Sequence, residues 1–135
     1  MVLDSSAALA WVYADETTGA ILELFDEIRI HGAWVPGLWR WEIANVLQLN
    51  VRRGRHDAEF RDGALATLAL LPLTVDAEAD CQVWSGALQW AQRHGLTVYC
   101  AAYLEIAARR EIPLATLDRQ LREAATREGV PLLGV

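Results

Sequence analysis

The sequence predicts an α/β fold of three layers, α/β/α, with a parallel sheet at its centre. Three observations predict it. Short apolar runs such as Val2-Leu3 and Leu114-Ala115-Thr116 alternate with amphipathic stretches of helical period. The runs are apolar throughout rather than alternating, as in strands buried on both faces. Gly, Pro or Asp punctuates nearly every boundary between them.

The elements follow in order. Val2-Leu3 reads as a short buried strand that stops at Asp4, after which Ser5 or Ser6 caps a helix to about Tyr13. A second helix spans roughly Thr17 to Ile28, with Ile21, Leu24, Phe25 and Ile28 inward at 3- and 4-residue spacing. Gly32, Pro36 and Gly37 bracket a strand near Trp34-Val35. The next helix runs from about Leu38 to Arg53 and stops at Gly54. Asp57 opens a helix to about Leu71, and Pro72 to Val75 is a strand. Asp76 caps a long helix to about His94, with Gly95 as its stop. Thr97 to Tyr99 leads into a helix through Arg110, and Leu114 to Thr116 is a strand. Asp118 caps a helix to Glu128, Gly129 ends it, and Pro131-Leu132-Leu133 is a last strand. No linker, repeat or low-complexity tract interrupts residues 1–135, so the expectation is one domain.

With 135 residues, 53% of them apolar, the chain carries enough material for one core, and disorder is excluded. Its 12 cations against 18 anions leave a net charge of −6. Every cation is Arg, so a P-loop lysine, a Schiff-base amine and a receiver-domain lysine are all missing. Cys81, Cys100 and three scattered histidines give neither a disulfide framework nor zinc-ligand spacing, which fits a reducing, cytoplasmic setting. The opening MVLDSSAALAW has an acid at position 4 and no basic segment, unlike a signal peptide. No apolar run approaches the ~20 residues of a spanning helix, so no membrane partner is expected. An acidic chain is a poor non-specific nucleic-acid binder, but clustered carboxylates holding divalent ions suit phosphodiester chemistry.

Open parallel sheets bind ligands at the carboxyl ends of their strands. Asp4 follows the first strand, and Asp118 follows a late one, where it also reads as a helix cap worth about 1 kcal/mol. Glu42 shares a helix face with Leu38, Val46 and Leu49. A carboxylate in an apolar stripe snorkels, pairs with an Arg or coordinates a metal. If Asp4, Glu42 and Asp118 converge, their repulsion calls for a cation, Mg²⁺ or Mn²⁺ given oxygen donors. A haloacid-type phosphatase is a poor fit, because Asp4-Ser5-Ser6 lacks the second Asp of a DxD pair.

The segments VLDSSAALAW, VPGLWRWEIANVL, LTVYCAAYLEIAARREIPLATLDRQLREAA and the closing GV resemble the PIN-domain ribonucleases of the VapC toxin type over essentially the whole chain. The resemblance implies a Mg²⁺- or Mn²⁺-dependent endoribonuclease that cuts RNA. It also implies inhibition by a cognate antitoxin protein, a homodimer, and a heterotetramer or larger assembly with that antitoxin. The family's acids map onto Asp4, Glu42 and Asp118, with Ser6 and Thr116 as the hydroxyls beside them. At the remaining acid position this chain has Cys100, in YCAAYLE. A thiol is a soft ligand and a poor partner for Mg²⁺. This departure supports an alternative: a catalytically impaired fold that acts as an antitoxin-binding module and co-repressor.

Two arginine groups have two readings. Arg52, Arg53 and Arg55 end one helix, and Arg109-Arg110 end another, where cations complement the helix dipole. Alternatively Arg52, Arg53 and Arg109 contact RNA phosphates. His31, His56 and His94 lie outside every motif and are expected at the surface. Of six Trp, Trp11 and Trp84 read as core, while Trp39 and Trp41, two apart on one helix, cannot both be core, so some aromatic surface belongs to a partner.

Overall fold

The computed structural model describes residues 1–134; Val135, second of the closing Gly-Val pair, lies outside the described residues. Five parallel strands, β1 (Val2–Leu3), β2 (Ala33–Val35), β3 (Leu73–Val75), β4 (Leu114–Ala115) and β5 (Leu132–Leu133), form one sheet in the order β3-β2-β1-β4-β5. Val2 lies opposite Trp34 on one side and Leu114 on the other, so β1 is central and fully buried.

The connections are α1 (Ser5–Val12), α2 (Gly19–His31), α3 (Trp39–Arg52) and α4 (Ala58–Leu68). After β3 come α5 (Ala79–Gln82), a π turn (Val83–Ala87), α6 (Leu88–His94) and α7 (Val98–Arg110), and β4 leads to α8 (Arg119–Arg127). Strand order moves one way from β1 to β3 and the other way from β3 through β4 to β5. Right-handed crossovers therefore put α1–α4 on one face and α5–α8 on the other. The helices of each set pack against one another, and α7 lies over β1, β2 and β4. The three-layer α/β/α prediction holds.

Local departures have physical causes. Ser5 and Ser6 do not cap α1; Asp4 occupies the cap position, its side chain makes no cap bond, and both serine hydroxyls turn to its carboxylate. Helix α2 begins later than predicted, capped by Thr18, because the Thr17 hydroxyl is already bound to the carbonyls of Ala10 and Tyr13. The long helix after Asp76 does form, but a π turn interrupts it. Trp84 sits on that turn at 92% exposure, which overturns its placement in the core. Trp11 packs as expected, stacked on Phe25 at 4.1 Å. Trp39 is buried whereas Trp41 is 79% exposed. His94 is not a surface residue; its side chain is 4% exposed and bonds Glu128 at 2.9 Å. Among the described residues, no helix is long and apolar enough to cross a membrane.

Candidate metal and active site

Both switch-point strands end in polar residues. Asp4 leaves β1 and Thr116 leaves β4, and the register Leu3↔Ala115 sets them side by side. Asp4 is only 4% exposed and Thr116 is fully buried. Asp4 Oδ2 accepts the hydroxyls of Ser6 at 2.5 Å and Thr116 at 2.6 Å, while Oδ1 accepts the Ser5 hydroxyl at 3.3 Å. Ser6 Oγ in turn accepts the Leu117 N–H at 2.9 Å, and Thr116 Oγ1 accepts the Asp118 N–H at 3.1 Å. Two hydroxyls thus tie the carboxyl ends of β1 and β4 to one buried carboxylate. Burial raises the Asp4 pKa, and the Ser6, Thr116 and Ser5 hydrogen bonds only partly oppose it; no basic group is among the influences.

Asp118 caps α8 as predicted, its Oδ1 accepting the Leu121 N–H at 2.7 Å. Its backbone bond to Thr116 also holds it at the mouth of the site. The cap and the site position are the same residue.

Glu42 reaches the site differently from the sequence expectation. The inner face of α3 is Trp39, Ile43, Leu47 and Asn50, whereas Leu38, Val46 and Leu49, which share a face with Glu42, are only half-buried. Glu42 therefore lies at the margin of the buried face, in the first turn of α3 above the carboxyl edge of β2. Among the described residues, no Arg pairs with it. Its Oε2 accepts a hydrogen bond from the hydroxyl of Tyr103, a fully buried residue of α7. Burial raises the Glu42 pKa, the Tyr103 and Ser5 hydrogen bonds lower it, and the Asp4 charge raises it again. Asp4 and Glu42 are thus close enough to repel. Sequence reasoning missed Tyr103 and Ser5; the available signal was the one-turn spacing of Tyr103 from Cys100 and the adjacency of Ser5 to Asp4.

Cys100 stands in the first turn of α7, half-buried, its N–H bonded to the capping Thr97 hydroxyl at 3.1 Å. Burial pushes its thiol pKa up, Thr97 pulls against this, and Asp4, Asp118 and Glu42 push up further. Asp4, Asp118 and Glu42 follow the carboxyl ends of the neighbouring strands β1, β4 and β2, and the charge of each acts on this thiol. The thiol is held protonated there, a neutral group where a fourth carboxylate would add charge.

Among the described residues, no three His, Cys, Asp or Glu side chains close around one point as a finished metal cage. The donor set nevertheless fits a hard divalent cation. Asp4 and Glu42 are neighbouring carboxylates without a cationic partner among the described residues, and Mg²⁺ is commonly held by one or two carboxylates with its remaining positions hydrated.

The arginines lie elsewhere. Arg52 and Arg53 are exposed at the far end of α3, and the ten residues from Glu42 to Arg52 correspond to about 15 Å of helix. Arg109 is turned inward, bonding Glu105 at 2.7 Å and Asp76 and Glu78 at 3.0 Å, so its donors are engaged by carboxylates rather than offered to RNA.

The family model described as the PIN domain matches residues 1–127. The chain is 35% identical to Ribonuclease VapC3 of Pyrobaculum aerophilum over 124 residues, covering 91% of this chain and 92% of that protein. The crystal structure of PAE2754 from Pyrobaculum aerophilum superimposes with a TM-score of 0.61 at 22% identity, over 91% of this chain and 82% of the other. That structure supports the fold alone.

Proposed function

The chain belongs to the PIN-domain family, and from that membership we propose that it is a Mg²⁺- or Mn²⁺-dependent endoribonuclease, the toxin of a toxin–antitoxin pair. The observation that carries the proposal is that Asp4, Asp118 and Glu42 each follow the carboxyl end of one of three adjacent strands, β1, β4 and β2. Their oxygens would hold the cation. When bound, such a cation acts as a Lewis acid on phosphoryl oxygens and lowers the pKa of water.

The chain's own residues prepare that site. Ser6 and Thr116 fix the rotamer of Asp4 and hold one of its oxygens, so the carboxylate is oriented before anything binds. Thr116 also sets the backbone of Asp118. None of the three histidines enters the site: His31 pairs with Glu27 on α2, His56 stacks on both Tyr13 and Phe60, and His94 binds Glu128. No histidine base is therefore assigned. Arg52 and Arg53 would meet RNA phosphates well away from the scissile bond, which positions substrate without touching the reacting atoms.

By its likeness to a VapC-type ribonuclease, the proposal extends to partners. These are an antitoxin protein, a second copy of this chain, and a heterotetramer or larger assembly of the two, in the cytoplasm. The exposed Trp41 and Trp84 are available to such interfaces.

Cys100 favours a second reading, an impaired nuclease that binds its antitoxin and acts with it as a co-repressor. The test is cleavage of total RNA by antitoxin-free protein in Mg²⁺ or Mn²⁺, beside Cys100→Asp. Cleavage by the unaltered chain supports the enzyme, with Cys100→Asp cutting faster in Mg²⁺. Cleavage by Cys100→Asp alone establishes the impaired reading.

A further inference from the structure

We propose that Tyr103 is a positioning residue of the metal site, acting through Glu42 by fixing one carboxylate oxygen and leaving the other for the cation; this rests on the metal-dependent reading above. Glu42 and Tyr103 come from opposite faces of the sheet, α3 and α7, and meet only above its carboxyl edge. The Tyr103 hydroxyl donates to Glu42 Oε2, and the Ser5 hydroxyl acts on the same carboxylate as a lesser donor. Ser5 gives its own hydrogen bond to Asp4 Oδ1, so the phenol is the donor that fixes Glu42. A glutamate has three side-chain torsions and, half-exposed, would sample several rotamers; ordering it on cation binding costs entropy. A bond from a rigid phenol with no exposed surface removes much of that freedom in advance.

Burial of the tyrosine makes the bond reciprocal. A buried phenolic hydroxyl needs a partner, and Glu42 supplies it. The ring itself has no exposed surface and belongs to the core, so Tyr103 has little room to follow Glu42 if the carboxylate moves. Because Tyr103 lies one turn after Cys100, α7 brings to the site both the residue that departs from the family's acid and the donor that steadies Glu42. Outer-shell partners of this kind typically contribute 10–100-fold to metal affinity or activity.

The experiment is Mn²⁺ binding to the antitoxin-free protein, followed by calorimetry and by loss of the free-Mn²⁺ paramagnetic signal. The unaltered chain is compared with Tyr103→Phe, Glu42→Gln and the double variant. Tyr103→Phe deletes one oxygen and keeps the ring; should it lose its fold by circular dichroism, all four proteins are compared in sucrose, which favours the compact state. The expected result is Mn²⁺ affinity roughly tenfold lower in Tyr103→Phe, with no further loss when the same change is made on Glu42→Gln. A purely structural tyrosine would lower melting temperature without this pattern. Unchanged Mn²⁺ affinity in Tyr103→Phe, or an equal loss on both backgrounds, would overturn the inference while leaving the metal-dependent reading intact. Absence of Mn²⁺ binding by the unaltered chain would overturn both.

Discussion

Asp4 is the residue on which the site turns, and its burial has a thermodynamic consequence. In the unfolded chain its carboxyl ionises near the ordinary value of 3.8, whereas burial raises the folded value. Above 3.8 the folded state therefore binds more protons than the unfolded one, and stability declines as pH rises through that window. In metal-free buffer, Asp4→Asn is expected to melt above the parent at pH 7, with the gap closing below pH 3.8. Thermal melts at the two pH values check this, and an Asn variant less stable at neutral pH would contradict it. Asp4 and Asp118 were legible in the sequence because strand ends mark themselves by a change from apolar to polar. Tyr103 was not, since an aromatic at helical spacing inside an apolar stretch looks like any core residue until the partner on another helix is known.

At the scale of elements, the carboxyl end of β3 is tied to α7 by charge. Asp76 is 2% exposed; its Oδ1 accepts the N–H groups of Glu78 and Ala79 and a bond from Arg109, and its Oδ2 accepts from Arg110 at 2.5 Å. Arg110 also lies over the Trp34 ring, 3.5 Å from its centroid, which links the same cluster to β2. Removing Asp76 leaves two partly buried guanidinium groups without their shared partner and uncaps α5. Asp76→Ala is expected to cost roughly 3–5 kcal/mol of unfolding free energy, measured by urea titration; a loss below ~1 kcal/mol would contradict this. Burial acts to raise the Asp76 pKa, but the bonds and charges of Arg110 and Arg109 outweigh it and hold it below 3.8. The stabilisation is therefore complete above that value and is lost as pH falls through the depressed one. Gly32 makes a second tie. Its φ is +72°, and a Cβ there would stand 2.7 Å from the Pro72 carbonyl oxygen that accepts the Ala33 N–H. Gly32→Ala should destabilise by more than ~1 kcal/mol in the same titration. Gly32 was legible in the sequence as a turn before β2. The π turn at Val83–Ala87 was not, because a one-residue slip in helix register carries no composition signal, and it is this slip that accompanies the outward placement of Trp84.

Across the whole molecule, charge and chemistry are separated. The three acids stand at the carboxyl edge, while Arg52 and Arg53 lie at the far end of α3. Arg52→Ala with Arg53→Ala is expected to weaken RNA binding uniformly across sequences and to flatten its salt dependence, leaving metal affinity unchanged. Fluorescence anisotropy over a salt series checks this, and an unchanged slope would remove both arginines from the RNA path. The fold class and the strand-end positions of Asp4 and Asp118 were foreseeable from one sequence, because each follows from local pattern. The roles of the arginines were not, since a C-terminal cation serves the helix dipole, an ion pair or a phosphate equally well until its neighbours are placed; Arg109 proved to serve three carboxylates.

The most direct measurement is cleavage of a defined RNA by antitoxin-free protein over a Mn²⁺ titration, run beside Asp4→Asn. Cleavage that rises with Mn²⁺, stops on chelation and is abolished in a folded Asp4→Asn variant is the predicted result. Equal cleavage by Asp4→Asn, or cleavage indifferent to chelation, would contradict an acidic metal site at the carboxyl edge of the sheet.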